Sequence, residues 1–277
     1  MMATQKTASP VKKSQGFQGI RAAFWVIVVC GIIAFCIYKF YLGAPANFQG
    51  GDPEARPLNI LGTVYHGGIV VAVIQTLLLS TLALSVERWL ALRTAFGTGS
   101  LPKFVANIKA ALNEKDFAKA QQICDKQKGS VANVVSASLS AYKTMEATSG
   151  IKKAQKVAKI QQAHEEATQL EMPTLQMNLP IIATMVTLGT LTGLLGTVTG
   201  MIKSFQALAA GGGGDSVALS AGISEALVNT ASGILTSWIA VISYGFFTNK
   251  IDKLTYALDE VGYSIAQTYE ANHEDEA

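Results

Sequence analysis

The sequence predicts an all-α, polytopic membrane protein of long helices: three core transmembrane helices, an extra one near the N-terminus, and a helical cytoplasmic domain. Three observations predict it. Only 15% of the 277 residues are charged and 49% are hydrophobic, whereas soluble domains carry about 25% charge. The apolar residues collect into four runs, each close to or above the ~20 residues that cross a bilayer core as a helix. Lysine and arginine alternate in density between the segments that join the runs, as the positive-inside rule requires.

The runs are residues 24–42, 67–92, 179–210 and 217–248. Helix is the expected state because a lipid-exposed backbone must satisfy every N–H and C=O internally. Residues 1–23 carry Lys6, Lys12, Lys13 and Arg21, and 93–178 carry twelve basic residues, the largest set. Segment 43–66 has Arg56 alone, and 211–216 has no basic residue. The N-terminus, the helical domain 93–178 and a C-terminal tail over 249–277 are therefore expected in the cytoplasm. Loop 43–66 and the tetraglycine turn Gly211–Gly214 are expected outside. The first run has a second reading, a signal peptide cut after Ala44-Pro45-Ala46. Its length and the interruption by Lys39 favour an uncleaved span. Either reading leaves the same three-span core.

Segment 93–178 is rich in Ala, Lys, Gln and Glu. Ser100-Leu-Pro102 suggests a helix start, helical spacing links Phe104, Ile108 and Leu112 and then Phe117, Ala120 and Cys124, and Gly129 and Gly150 suggest breaks. Three or four helices are expected, the last running toward the third span. The acidic end, Glu270 to Glu276, reads as a solvated tail. Cys30, Cys36 and Cys124, and His66, His164 and His273, lack metal or disulfide spacing. No nucleophile–base set, phosphate loop or metalloprotease motif stands out, and no dense basic patch suggests nucleic acid. The expectation is a protein that is not an enzyme and has no cofactor or metal.

The last two runs are unusually polar. In the third, Thr187, Thr190, Thr197 and Ser204 fall toward one side at 100° per residue. In the fourth, Glu225, Asn229, Ser232 and Thr236 form one stripe, and Thr230, Ser237 and Tyr244 an adjacent one. Single hydroxyls on membrane helices usually bond back to their own helix or glue two helices together. A glutamate about 13 Å into a span at 1.5 Å per residue is different, because an ionisable group inside a membrane is a functional candidate by default. Against that stands a structural carboxylate bonded to a neighbouring helix. Lys203 reads as snorkelling toward the outer interface. Glu87 and Arg88 close the second run, paired or reaching the interface. Gly189 with Gly193, Gly196 with Gly200, and Gly233 supply small-residue spacings for packing within the chain or between copies.

Two stretches carry a family resemblance. Gly193 to Phe205 (GLLGTVTGMIKSF) resembles the GL(L/F)GTVxGI…F motif of ExbB and TolQ. Gly222 to Gly233 (GISEALVNTASG) resembles their GIxEALxxTAxG motif. Ser85 to Leu90 (SVERWL) is similar to the end of the family's first core span. The chain thus resembles the ExbB/TolQ/MotA proton-channel family, and ExbB, a biopolymer transport protein, most. The departures are Gly189-Thr190 where Ala-Pro is common, Ile239 where a proline is common, and the extra N-terminal span. The resemblance implies a homopentamer in the bacterial inner membrane around the single spans of an ExbD-like partner with a membrane aspartate. A TonB-like protein receives the work, protons are the driving ion, and membrane lipids surround the assembly. By motif position Thr197, Thr230 and Glu225 match residues of the family's pore, and Thr190, Thr187 and Ser237 extend the same polar path. The implied role is a stator subunit that uses proton-motive force to energise outer-membrane import. A TolQ-like role in envelope maintenance and a non-conducting scaffold are the alternatives.

Overall fold

The computed structural model describes residues 23–53, 55–210 and 216–274. The expected N-terminal cytoplasmic stretch through residue 22 and the tetraglycine turn lie outside the described residues. The nine α-helices of the described residues are α1 (Ala23–Cys36), α2 (Ile60–Tyr65), α3 (Gly68–Phe96), α4 (Leu101–Asn113), α5 (Phe117–Gln127), α6 (Gly129–Glu146), α7 (Lys153–Gln176), α8 (Leu179–Ala210) and α9 (Ser216–Asn272). Four helical stretches are long and apolar enough to cross a membrane, beginning at Ala23, Gly68, Lys153 and Leu219. The all-α polytopic class follows directly. The chain divides into two compact units: one takes described residues through Arg88 plus 178–247, the other 89–177 plus the chain from Thr248.

The first unit is built like a membrane domain. Its apolar side chains are largely turned outward: Leu191, Leu194, Val198 and Ile202 on α8, and Leu227, Ile234 and Trp238 on α9, are each at least half exposed. What lies between helices is small or polar, because lipid gives apolar side chains no reason to bury against one another. Gly31 of α1 faces Thr76 of α3, where a Cβ would sit 3.5 Å from the threonine methyl. At the end of α3, Arg88 is fully buried and grips Glu87 through Nε (2.6 Å) and Nη2 (2.5 Å). Asn178 Nδ2 donates to the same carboxylate at 3.2 Å. Of the two sequence readings for Glu87 and Arg88, the structure selects pairing.

Segment 43–66 is more than a link. α1 continues as a π-helix over Ile37–Leu42. Asn47, 5% exposed, donates to the carbonyls of Tyr41 (2.8 Å) and Leu42 (2.9 Å). Its own Oδ1 accepts from Asn59 Nδ2 at 2.9 Å, and Asn59 Oδ1 accepts from Gly62 N, capping α2. Tyr38 stacks on Tyr65 at 4.8 Å, and Phe48 lies edge-on to Tyr65 and stacked on His66. The segment is a folded cap held by buried amide bonds and aromatic packing.

The second unit is an ordinary water-facing helical bundle with an apolar core. α4 buries Phe104, Ile108 and Leu112, α5 Ala120 and Cys124, and α6 Val131, Val135, Leu139 and Tyr142. Ser100 precedes α4 with Pro102 in its first turn, and Asp116 Oδ1 caps α5 by accepting from Lys119 N at 2.8 Å. Lys128 (φ 59°) and Gly129 (φ 78°) turn the chain between α5 and α6. α7 runs from Lys153 toward the third span and stops at Gln176, and Asn178 at φ 64° separates it from α8. The C-terminal segment is the larger correction. Residues expected as a tail from 249 are helical to Asn272, burying Ile251, Leu254, Leu258, Val261 and Ile265 at alternating three- and four-residue steps. Tyr269 is buried against Tyr142 (4.8 Å), and His273 stacks on Tyr269 at 4.2 Å. These aromatics hold the first residues of the acidic end on the bundle.

Candidate functional site

α8 and α9 meet backbone to backbone. A Cβ on Gly233 would sit 2.6 Å from Gly189 O and 2.8 Å from Gly193 Cα. One on Gly193 would meet Asn229 O at 3.1 Å, and one on Gly200 would meet Gly222 O at 3.0 Å. A Cβ on Gly196 would meet the Asn229 side chain, and one on Gly189 would sit 2.6 Å from Ser237 Oγ. All five glycines singled out for packing are therefore used inside this chain, between α8 and α9. Close approach is what lets short hydroxyl side chains reach across.

They do so in rungs. Thr190 Oγ1 and Ser237 Oγ lie 2.8 Å apart, and Ser237 Oγ also bonds Val186 O at 2.6 Å. Thr197 Oγ1 and Thr230 Oγ1 are in direct hydrogen-bond contact. Lys203 Nζ and Glu225 Oε1 pair at 2.7 Å. Seven residues separate Thr190 from Thr197 on α8, and seven separate Thr230 from Ser237 on α9. A heptad turns 700°, only 20° short of two full turns, so these side chains return to the same seam. Thr187 does not: three residues before Thr190 is a 60° rotation, and it stands exposed outside the rungs. Ser204 is buried beside Gly222 and bonds back to Gly200 O at 3.0 Å.

The outer rung corrects the reading of Lys203. Its side chain is 61% exposed, yet its ammonium is committed to Glu225, whose side chain is 14% exposed. An ion pair this open is worth roughly 0–1 kcal/mol, so it orients the carboxylate without locking it. Glu225 also faces the start of α3: a Cβ on Gly68, which has φ 71°, would meet Oε1 at 3.1 Å. Only glycine takes that backbone conformation freely, and the unpaired N–H groups of a helix's first turn carry partial positive charge. The negative charge of Glu225 is thus answered from two sides. Lys203 and Glu225, with Tyr38, Tyr65 and His66 of the cap, line an open cleft of about 400 Å³. His66 Nε2 lies 2.9 Å from Pro53 O. The cap's part in this cleft was missed in the sequence; the one signal available was Gly67-Gly68 after His66.

Asn229 was placed on the polar stripe, and the structure gives it an unusual setting. It is fully buried, and neither its Oδ1 nor its Nδ2 has a partner among the described residues. A buried unpaired amide costs about 1–3 kcal/mol. Thr236 is also buried and bonds back to Ser232 O at 2.9 Å. Chemically, the rungs offer hydroxyls that accept and pass a proton but cannot store one, with one carboxylate at the cleft end. Successive rungs are about 10 Å apart at 1.5 Å per residue, several hydrogen-bond lengths. Water or another chain's polar group must fill the intervals for protons to travel the seam. No cluster of three or more His, Cys, Asp or Glu residues suited to a metal occurs among the described residues.

Residues 127–260, which contain α8 and most of α9, match the model of the MotA/TolQ/ExbB proton channel family. Over these residues the chain is similar to that family. A MotA/TolQ/ExbB protein is a proton-channel, stator-type subunit that works in a membrane complex with other proteins. The matched stretch includes all three rungs, the Lys203–Glu225 pair among them. No curated protein sequence matches the chain.

Proposed function

We propose that this chain is the proton-conducting stator subunit of an ExbB–ExbD–TonB-like complex that turns proton-motive force into mechanical work for outer-membrane import. It assembles as a homopentamer in the inner membrane, with both termini and the helical bundle in the cytoplasm and the cap outside. A single-span partner with a membrane aspartate carries the proton, and Thr197 and Thr230 position and relay it through water. Thr190 and Ser237 extend that route, and Glu225 sets the field at the outer end. The observation that carries this reading is the seam of paired hydroxyls ending in a lightly held carboxylate, inside the family-matched region. A buried polar seam that only glued helices would not need a carboxylate in a solvent-open cleft.

The test uses the intact complex with its partner. Glu225→Ala, and separately Thr197→Val with Thr230→Ala, should abolish proton flux in liposomes and energised uptake in cells while the complex still purifies at wild-type yield. Wild-type flux from both variants would leave a non-conducting scaffold as the better description.

A further inference from the structure

The water-facing unit contains a second cleft, of about 370 Å³. Trp89, Arg93 and Phe96 from the last turns of α3 form one side and Lys250 and Lys253 of α9 the other, with buried Leu92 also lining it. The Arg93 guanidinium lies over the Trp89 ring at 5.7 Å. Among the described residues, three cationic side chains line the cleft and no carboxylate does. The end of α3 presents carbonyls worth about half a negative charge, which three full positive charges outweigh. The cleft is therefore electropositive with an aromatic wall.

Its place along the chain says what it meets. Trp89 to Phe96 close the second apolar run, and Lys250 stands just beyond the fourth. Both are where a span passes into the interface, the depth at which tryptophan and basic residues anchor membrane proteins. Basic pockets at that level suit anionic lipid headgroups. Arginine supplies planar, two-pronged donation to phosphate, and lysine a point charge. A free phosphate would satisfy the cations alone, whereas a phospholipid also brings its glycerol and acyl carbons beside Trp89 and Phe96. We propose that this cleft binds the phosphate group of an anionic phospholipid, and that Arg93, Lys250 and Lys253 are its ligands.

The experiment compares the complex purified in mild detergent from wild type, from Lys253→Gln, and from the Arg93→Gln/Lys250→Gln/Lys253→Gln triple variant. Phosphatidylglycerol retained per subunit is read by native mass spectrometry after supply in equal amount with phosphatidylcholine. Wild type should hold phosphatidylglycerol preferentially. Lys253→Gln changes an exposed side chain, leaves the fold intact, and should weaken retention about fivefold, as expected for one charge near a membrane surface. The triple variant should lose the preference altogether. Equal retention by wild type and Lys253→Gln overturns the assignment, as does displacement of the lipid by millimolar inorganic phosphate at no cost to wild-type thermal stability. Proton flux is not the readout, so failure here is separable from failure of the channel reading.

Discussion

His164 shows what burial does to a single side chain in the helical bundle. Ser138 Oγ lies 3.0 Å from Val134 O and 2.9 Å from His164 Nδ1. Nε2 is buried, has no partner among the described residues and presses against Gly262, where a Cβ has no room. Burial lowers the pKa below the usual 6.5, with Asp259 and Glu165 opposing the shift. Above 6.5 both folded and unfolded chains hold a neutral imidazole and stability is complete. As pH falls through 6.5 the unfolded chain takes the proton first, and stability drops until the folded pKa is passed. Thermal unfolding in detergent should therefore show wild type losing more melting temperature between neutral and mildly acidic pH than His164→Gln, which cannot charge. Parallel losses in the two proteins would exclude this residue as the cause. The Glu87–Arg88 pair makes the opposite case, a charge that must stay matched. Glu87→Ala leaves Arg88 fully buried and short of its carboxylate, a change expected to cost about 3–5 kcal/mol. Glu87→Met with Arg88→Met should recover most of that loss, measured as yield and melting temperature of the purified protein.

At the scale of elements, the α8–α9 seam depends on missing side chains. Gly233→Ala would drive a methyl into the Gly189 carbonyl, an overpacking expected to cost about 1–3 kcal/mol. Gly245→Ala, twelve residues along the same helix, meets nothing within 4 Å and should stabilise by roughly 0.5–1 kcal/mol through helix propensity. Opposite shifts in melting temperature are the expected result, and equal shifts would mean the seam is not held by backbone proximity. The same contrast explains what could be read in advance. Membrane helices announce themselves because uninterrupted apolar runs have no other stable state in lipid; α8 occupies the third run from Leu179 to Ala210. The 100° rotation per residue put Thr190, Thr197, Thr230 and Ser237 on inward stripes before any contact was visible. It could not decide partners across helices, because pairing depends on the register of α8 against α9, set by glycine contacts far apart in sequence. Lys203 was misjudged for that reason: a lone lysine near a span end looks like a snorkelling side chain until the opposing glutamate is located. Residues after 249 were misjudged because a charged surface every few positions hid the buried stripe from Ile251 to Ile265.

At the scale of the whole molecule the chain separates two environments, and their chemistry should be testable from outside. One unit turns leucines, isoleucines and tryptophan outward, while the other buries its apolar side chains under exposed lysines and glutamates such as Lys109 and Glu260, paired at 2.6 Å. The proposed orientation puts the cap outside the cell membrane and the bundle inside. The protein without an added cysteine gives the background of a labelling test. Cys30 is buried, and Cys36 is exposed at the end of an apolar helix and accounts for that background. Cys124 is buried in the bundle, and desolvation pushes its thiol up to about 12, so almost no thiolate exists near neutrality. A new cysteine at Gln49, exposed in the cap, should therefore react with a membrane-impermeant maleimide in intact spheroplasts. One at Ala147, exposed beyond α6, should react only after the membrane is opened. The reverse pattern would invert the orientation and place the Lys203–Glu225 cleft on the low-proton side. Labelling of both sites in intact spheroplasts would exclude a membrane boundary between the two positions. The intact mass of the labelled chain also reports whether the first span is retained, because cleavage after Ala46 removes both Cys30 and Cys36 and leaves Cys124 as the sole native thiol.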